Sequence, residues 1–539
     1  MWSLGIGVWW STAASLISSL LSKLKARSTY FENQTCTKAT LKEFEAIPSA
    51  IIRPFITTWR TTTSNETITI GLDSAQTYNF TVDWGDSSQE TITSGNDLSH
   101  TYSNQGEYEV KINGTFPRIF MDRPNATPNN LISINNWGNI QWQSMTGAFK
   151  NCINLYNCNT QDTPDLSNVT SLISMFENAG SNTSNLFINN INKWHTTNIS
   201  NIRTMFKNAT SFNQNINDWD VSNVHNMNNM FNNAASFNQP LNNWELNFGV
   251  NIKNMFYNAT SFNQNINDWN VSQVYQLDQL FFGATSFNQP LSNWNTSNVV
   301  TMYAVFKNAT SFNQDISSWD VSKVTTTSQM FRNATSFNQS LNSWETNTYS
   351  TTSNIQNMSF MFEGAIKFEA NLNLWDTSGA TNINYMFRNI NETGGIIAVS
   401  NWDVSNVTQA RYTFAYNPLS SLDITNWNVS SITNMQAMFQ GTGANNFQTD
   451  IEKWDLSNVT NAALFMGYYN GSAPNFPLTI YDDILIAFAN ETYHTTPTNL
   501  TISFGKSKYT TAAVASRIKL TDPISSGGFG WTIADGGVA

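Results

Sequence analysis

A mainly β chain, a stack of short coils led by a small β-sandwich, is what three observations in the sequence predict. The first is a repeated phrase: "FKNATSFNQDISSWDVSKVTT" (306–326) returns as "FKNATSFNQNINDWDVSNVHN", "FYNATSFNQNINDWNVSQVYQ" and "FRNATSFNQSLNSWETNTYST". The second is the spacing of the tryptophans that close the phrase. Trp194, Trp219, Trp244, Trp269, Trp294, Trp319 and Trp344 follow one another at 25 residues, and Trp375, Trp402, Trp427 and Trp454 continue at 31, 27, 25 and 27. The third lies upstream, at 78–116, where apolar and polar residues alternate in short runs broken by Gly, Asn, Asp and Ser. That is the pattern of a small β-sandwich.

Composition narrows the class. At 539 residues the chain is long enough for several domains or one extended array. A net charge of −11 and a pI near 4.9 argue against nucleic acid, because no basic excess is available to neutralise phosphates. Charged residues make up only 12%, yet aromatics reach 13%, so the chain has the large apolar side chains that disordered segments lack.

The repeat sets the architecture. A fixed period of roughly 20–29 residues is the signature of a leucine-rich-repeat-like solenoid. Within one unit Val299, Met302, Phe306, Ala309, Phe312, Ile316 and Trp319 fall three or four residues apart. Asn, Ser and Thr, with Pro240 and Pro290 inside the phrase, exclude a continuous helix. Each unit is therefore one coil, with a short strand near "FNQxI" and a helical or 3₁₀ turn near "VxxMxxMF". Phe212, Phe237, Phe262, Phe287, Phe312 and Phe337 form an internal column, and the asparagine after each forms a buried ladder satisfying backbone groups of the next coil. Asp220, Glu245, Asn270, Asn295, Asp320 and Glu345 vary too much at their shared position to be a Ca²⁺ column.

Three cysteines, Cys36, Cys152 and Cys158, do not make a disulfide scaffold. Cys152 and Cys158 are near enough in sequence to bridge, with small buried thiols as the alternative. His100, His195, His225 and His494 share no ligand-spaced motif with a cysteine. No metal, cofactor or catalytic residue is expected, because no Ser-His-Asp set, Cys-His pair or phosphate loop is visible. The first 22 residues carry no charge before Lys23, Lys25 and Arg27, so the basic region that opens a secretory signal is missing. Residues 1–27 read as an uncleaved signal-anchor, a segment lying on a membrane, or an apolar plug in a partner subunit.

The stretches "VDWGD" and "HTYSNQGEYEVKI" resemble the polycystic-kidney-disease (PKD) domain, which implies an extracellular immunoglobulin-like sandwich. Asp83 and Asp86 there are expected to cap the turn. Together with "FITTWRTT" (55–62), "SINNWGNIQWQSMTGAFKNCINL" (133–155), the repeats and "GWTIADGG" (530–537), the chain resembles BspA-type leucine-rich-repeat surface proteins. That resemblance implies a right-handed solenoid on a cell surface, associated with adhesion. The expected organisation is an apolar segment at 1–27, a linker at 28–54, the PKD-like sandwich at 55–118, a junction and solenoid cap at 119–165, the repeat solenoid at 166–465, and C-terminal repeats with a cap at 466–539.

About 23 Asn-x-Ser/Thr sequons occur. Glycosylation candidates are Asn65, Asn113, Asn125, Asn208, Asn258, Asn308, Asn333, Asn470 and Asn490. Within one repeat, Asn333 should be exposed and open to modification and Asn338, in the ladder, should stay bare. The function expected is a non-enzymatic adhesin or ligand-binding module outside the cell, using the exposed solenoid face toward a protein or glycan on another surface. A structural coat, spike or fibre protein of a cell or virion is the alternative, with residues 1–27 docking into a membrane or coat subunit and the chain forming a homo-oligomer.

Overall fold

Alternation of side chains sets the first strands. Along β1 (Phe55–Thr61), Phe55, Thr57, Trp59 and Thr61 turn inward while the residues between them stay partly or fully exposed. There follow β2 (Glu66–Ile70), β3 (Asn79–Asp83), β4 (Gln89–Ile92), β5 (Leu98–Tyr102), β6 (Gly106–Thr115) and β7 (Leu131–Asn136). Antiparallel pairing joins β4 to β3, β3 to β6, β6 to β1 and β1 to β7. β2 and β5 form a separate antiparallel pair. Their residues Ile68, Ile70, Leu98 and Tyr102 share one core with Phe55, Trp59, Phe80 and Val110 of the larger sheet.

The computed structural model describes residues 53–346, 352–369, 371–390, 398–417, 422–442, 451–468 and 474–539. The apolar segment 1–27, Cys36 and Asn470 lie outside the described residues. From Pro54 to Ala539 the chain is one unit, mainly β, with few helices and no closed barrel among the described residues.

The first sheet runs on into the repeats. β7 pairs parallel with β8 (Asn157–Cys158), and β8 with β9 (Phe187–Ile188), giving one seven-stranded sheet ordered β4-β3-β6-β1-β7-β8-β9. Among the described residues these first coils carry a strand at the place corresponding to "FNQxI", and later coils carry no more there than an isolated parallel bridge, as from Asn371 to Ala398. In the middle coils pairing falls within "VxxM", where the sequence suggests a helical turn. Asn226, between Val224 and Met227, bridges parallel to Asn201 and Asn251, and the same column continues through Thr301, Thr326, Asn357 and Asn382 to Asn461.

Each coil is a string of tight turns. The Ile202 carbonyl accepts from the Met205 N–H, Phe206 from Ala209, and Ala209 from Phe212, while the N–H groups of Ile202, Thr204, Phe206 and Asn208 donate to Asn226, Asn228, Met230 and Asn232 of the next coil. A left-handed residue in each of the first two turns, Thr204 at φ 55° and Asn208 at φ 58°, prevents the chain from continuing as a helix. Three-residue turns bring apolar side chains inward at the same steps as a helix would, so the two are indistinguishable by period.

Stacking fills the interior. Phe206, Phe231, Phe256, Phe281, Phe306 and Phe331 stack with ring centroids 5.6–5.9 Å apart. Phe212, Phe237, Phe262, Phe287, Phe312 and Phe337 form a second column at 5.8–6.1 Å. The column is internal, with each ring fully buried. Each closing tryptophan buries its ring but must satisfy one N–H. Trp219 donates to the Ile191 carbonyl at 2.7 Å, Trp244 to Ile216 at 3.0 Å and Trp269 to Leu241 at 2.9 Å, each reaching into the preceding coil.

At the far end Ala462 bridges parallel to Ile502 in β10 (Thr501–Ser503), which pairs parallel with β11 (Thr532–Ala534). Helices α1 (Leu478–Ala489) and α2 (Val514–Thr521) flank this pair. Asp535 ties them together, accepting from Tyr481 Oη at 2.9 Å and Arg517 Nε at 2.8 Å.

Candidate functional site

Two sides of the coil repeat themselves for structural reasons. On the "FNQ" side the Asn213 Oδ1 accepts the Asn238 N–H at 2.9 Å, and the same bond recurs at Asn238, Asn263, Asn288 and Asn313, ending where Asn338 Oδ1 accepts from Glu369 at 3.0 Å. The ladder is there, but it runs along the surface: Asn213 and Asn338 are exposed and the others half-buried. On the "WDVS" side the varying residue has one task wherever it is Asp or Asn. Asp220, Asn270 and Asp320 each accept the N–H of the serine two residues on, at 3.0, 3.2 and 2.9 Å, an Asx turn that Asp and Asn make equally well.

The third side, the turn face, differs from coil to coil. At one shared position stand Lys150, Glu177, Lys207, Asn232, Tyr257, Phe282, Lys307, Arg332, Glu363 and Arg388. Beside it runs the left-handed column of Gln279, Ala304, Gln329, Phe360, Tyr385 and Tyr412, and beyond that Arg203, Lys253, Asp278, Tyr303 and Arg411. Packing does not demand these identities, because the side chains point away from the stacked phenylalanines.

Charge and rings organise this face. Glu363 is shared by Arg332 and Arg388, both at 2.6 Å. Glu177 lies between Lys150 at 3.7 Å and Lys207 at 3.6 Å, and Asp278 pairs with Lys253 at 3.3 Å. Phe360, Tyr385 and Tyr412 stack at 4.5 and 4.7 Å, with the Arg388 guanidinium 4.9 Å from the Tyr416 ring and Arg332 5.0 Å from Phe360.

The sequons fall on a second asparagine ladder that sequence reasoning missed. Asn208, Asn258, Asn308 and Asn333 occupy the left-handed turn position, at φ 51–60°. Asn208 Nδ2 donates to Asn178 Oδ1 at 2.8 Å, Asn258 to Asn233 at 3.0 Å and Asn333 to Asn308 at 3.0 Å. Asn208, Asn258 and Asn308 are half-buried and Asn333 exposed. The signal available was the alternation of Asn with Gly at this position: Gly283 and Gly364 also take positive φ, 66° and 70°, which Gly and Asn tolerate best. Elsewhere, Asn65 is exposed in the turn after β1, Asn125 is exposed before β7, Asn490 is exposed at the end of α1, and Asn113 is half-buried in β6.

Cys152 and Cys158 are free thiols, both fully buried, so they stand as small core residues rather than a bridge. Burial pushes both thiols up in pKa, away from the reactive thiolate. In the "VDWGD" turn Asp83 Oδ1 accepts the Gly85 N–H and Asp86 Oδ1 the Ser88 N–H, each at 3.0 Å. Asp86 also pairs with His100 at 2.8 Å, and the imidazole stacks on Trp84 at 4.6 Å. Burial would raise the Asp86 carboxyl, but Ser88 and His100 outweigh it and hold the group at about 2. Among the described residues no three His, Cys, Asp or Glu side chains are gathered to hold a metal ion, and no helix is long and apolar enough to cross a membrane.

Fold and faces together define a repeat protein, its core fixed by stacking and one face free to vary. The chain belongs to the family described as Mycoplasma protein of unknown function, DUF285, whose model matches residues 119–210, 180–286, 250–352, 350–393 and 391–479. No curated protein and no solved structure matches it.

Proposed function

We propose that the chain is a non-enzymatic adhesin or ligand-binding module displayed outside the cell, with the turn face as its contact surface. The repeat array is then a right-handed leucine-rich-repeat-like solenoid of the BspA type, and the unit from β1 to β6 is a PKD-like, immunoglobulin-like sandwich that holds the array away from its point of attachment. One observation carries this reading. Side chains vary from coil to coil on the turn face, while the "FNQ" and "WDVS" sides spell the same hydrogen bonds again and again. Extended faces of stacked repeats are where such proteins bind.

The test uses the full chain on an array of glycans and surface proteins, with its assembly state followed by sedimentation and electron microscopy. A species that binds array ligands through the turn face supports the reading. Ordered sheets or filaments without ligand binding would replace it with a coat or fibre role.

A further inference from the structure

We infer that the turn face holds an anionic polysaccharide, a chain of sugars bearing carboxylate or sulfate groups. This rests on the binding-module reading above and adds the chemistry of its ligand. Counting Asp122, which pairs with Lys150 at 2.9 Å, the face carries eight lysines and arginines against four carboxylates. A surplus of four positive charges thus sits on a chain whose formal charge is −11, leaving −15 elsewhere.

The order of charges by depth matters more than the count. The Glu363 carboxylate is 7% exposed beneath arginines at 30% and 34%. The Glu177 side chain is 12% exposed between lysines at 24% and 34%, and Asp278 is 11% exposed beside Lys253 at 35%. These three acids lie low and the cations lie over them, so what a ligand meets first there is positive; only at Lys150 is the order inverted, with Asp122 41% exposed beside a lysine at 24%. Arg203 and Arg411 have no carboxylate partner among the described residues, and the Arg411 Nε is buried without a hydrogen-bond acceptor. Lys307 donates to the Gln329 amide oxygen, a neutral acceptor, at 2.7 Å; burial and the neighbouring Arg332 pull its pKa down. The site is short of negative charge.

The shape favours a polymer. Cations recur along the stack, on every second coil from Lys150 to Lys307 and then at Arg332, Arg388 and Arg411, with amide and phenol groups between them, as in the bond from Gln329 Nε2 to Tyr303 Oη at 3.0 Å. The rings of Phe360, Tyr385 and Tyr412 face one another, so they offer edges to an extended ligand and little apolar surface for a bilayer.

The full chain is tested on immobilised dextran sulfate, polygalacturonate, uncharged dextran and polyglutamate. Expected is binding to the sulfated and uronate polymers, absent on dextran, and weakening steeply with salt as screening shortens the reach of exposed charges. The double substitution Arg203→Gln with Arg411→Gln should lower affinity about tenfold with unchanged melting, since neither guanidinium has an ion-pair partner among the described residues to strand. Lys453→Gln, a change off this face, should leave affinity within about twofold. Equal binding to dextran would overturn the charge assignment and leave the binding-module reading standing. Binding to polyglutamate alone would make the partner an acidic protein. An equal loss with Lys453→Gln would show adsorption through surface cations at large and overturn the site. No ligand on any surface, with ordered self-assembly, would overturn both readings.

Discussion

Asn333 donates from Nδ2 to the Oδ1 of Asn308, 25 residues earlier, across 3.0 Å. The atom that would receive an N-linked glycan is therefore already engaged in the ladder. Asn338, five residues on, uses its Oδ1 toward Glu369 and keeps its amide nitrogen at the exposed surface. The order expected from sequence is thus reversed: in a glycosylating host, Asn338 should be occupied ahead of Asn333. Site-resolved glycopeptide mass spectrometry checks this, and higher occupancy at Asn333 would contradict it.

Trp269→Phe keeps most of the buried ring but removes the N–H that Leu241 accepts at 2.9 Å. The Leu241 carbonyl keeps its bond from the Trp244 N–H at 3.2 Å, so the lost hydrogen bond costs about 0.5–1.5 kcal/mol, and the smaller ring adds a cavity. Phe262→Ala should cost more, about 3–5 kcal/mol. Hydrogen exchange should locate both losses in the mutated coil and its two neighbours, because contacts in a stack are nearest-neighbour. Loss of protection spread evenly over the array would show otherwise.

Gly283 interrupts the left-handed ladder, and a side chain there would meet Asn258 Oδ1, the end of a rotatable amide. Gly283→Asn should turn that amide, add an Nδ2 donor toward Asn258 Oδ1 and an Oδ1 acceptor for Asn308 Nδ2, and restrict the unfolded chain, a gain of about 0.5–1 kcal/mol. Chemical denaturation measures it. A loss of stability would mean that the amide cannot turn.

The Asp86 carboxyl, held at about 2 against an ordinary 3.8, contributes fully above the ordinary value and loses its contribution as pH falls through the folded one. Asp86→Asn should remove acid sensitivity between about pH 4 and pH 2 while lowering stability at neutral pH. Tryptophan fluorescence reports it, since Trp84 stacks on the partner His100. An acid transition identical to that of the parent chain would rule the pair out.

What could be read in advance followed from repetition. Trp219, Phe212 and Asn213 recur at fixed spacing, so their stacking and hydrogen bonds were legible before any coordinates. The strand at "FNQxI" was misplaced for the middle coils because strings of turns and helices space their apolar residues alike, and only the φ of Thr204 and Asn208 separates them. The turn face was hidden for the opposite reason. Arg332, Glu363 and Arg388 stand in different coils and look unrelated along the chain, and only stacking brings them within 2.6 Å.

The sheet that passes from β1 through β7 to β9 without a gap also decides how the molecule carries load. Tension applied along the stack would meet no slack hinge at this junction and would fall on the seams between coils, which from Trp219 to Trp427 are closed by a few backbone bonds and one indole. Such seams open singly, in order, from a free end. Each would release about 80 Å of chain, the contour of 25 residues, so the protein would lengthen in near-equal steps.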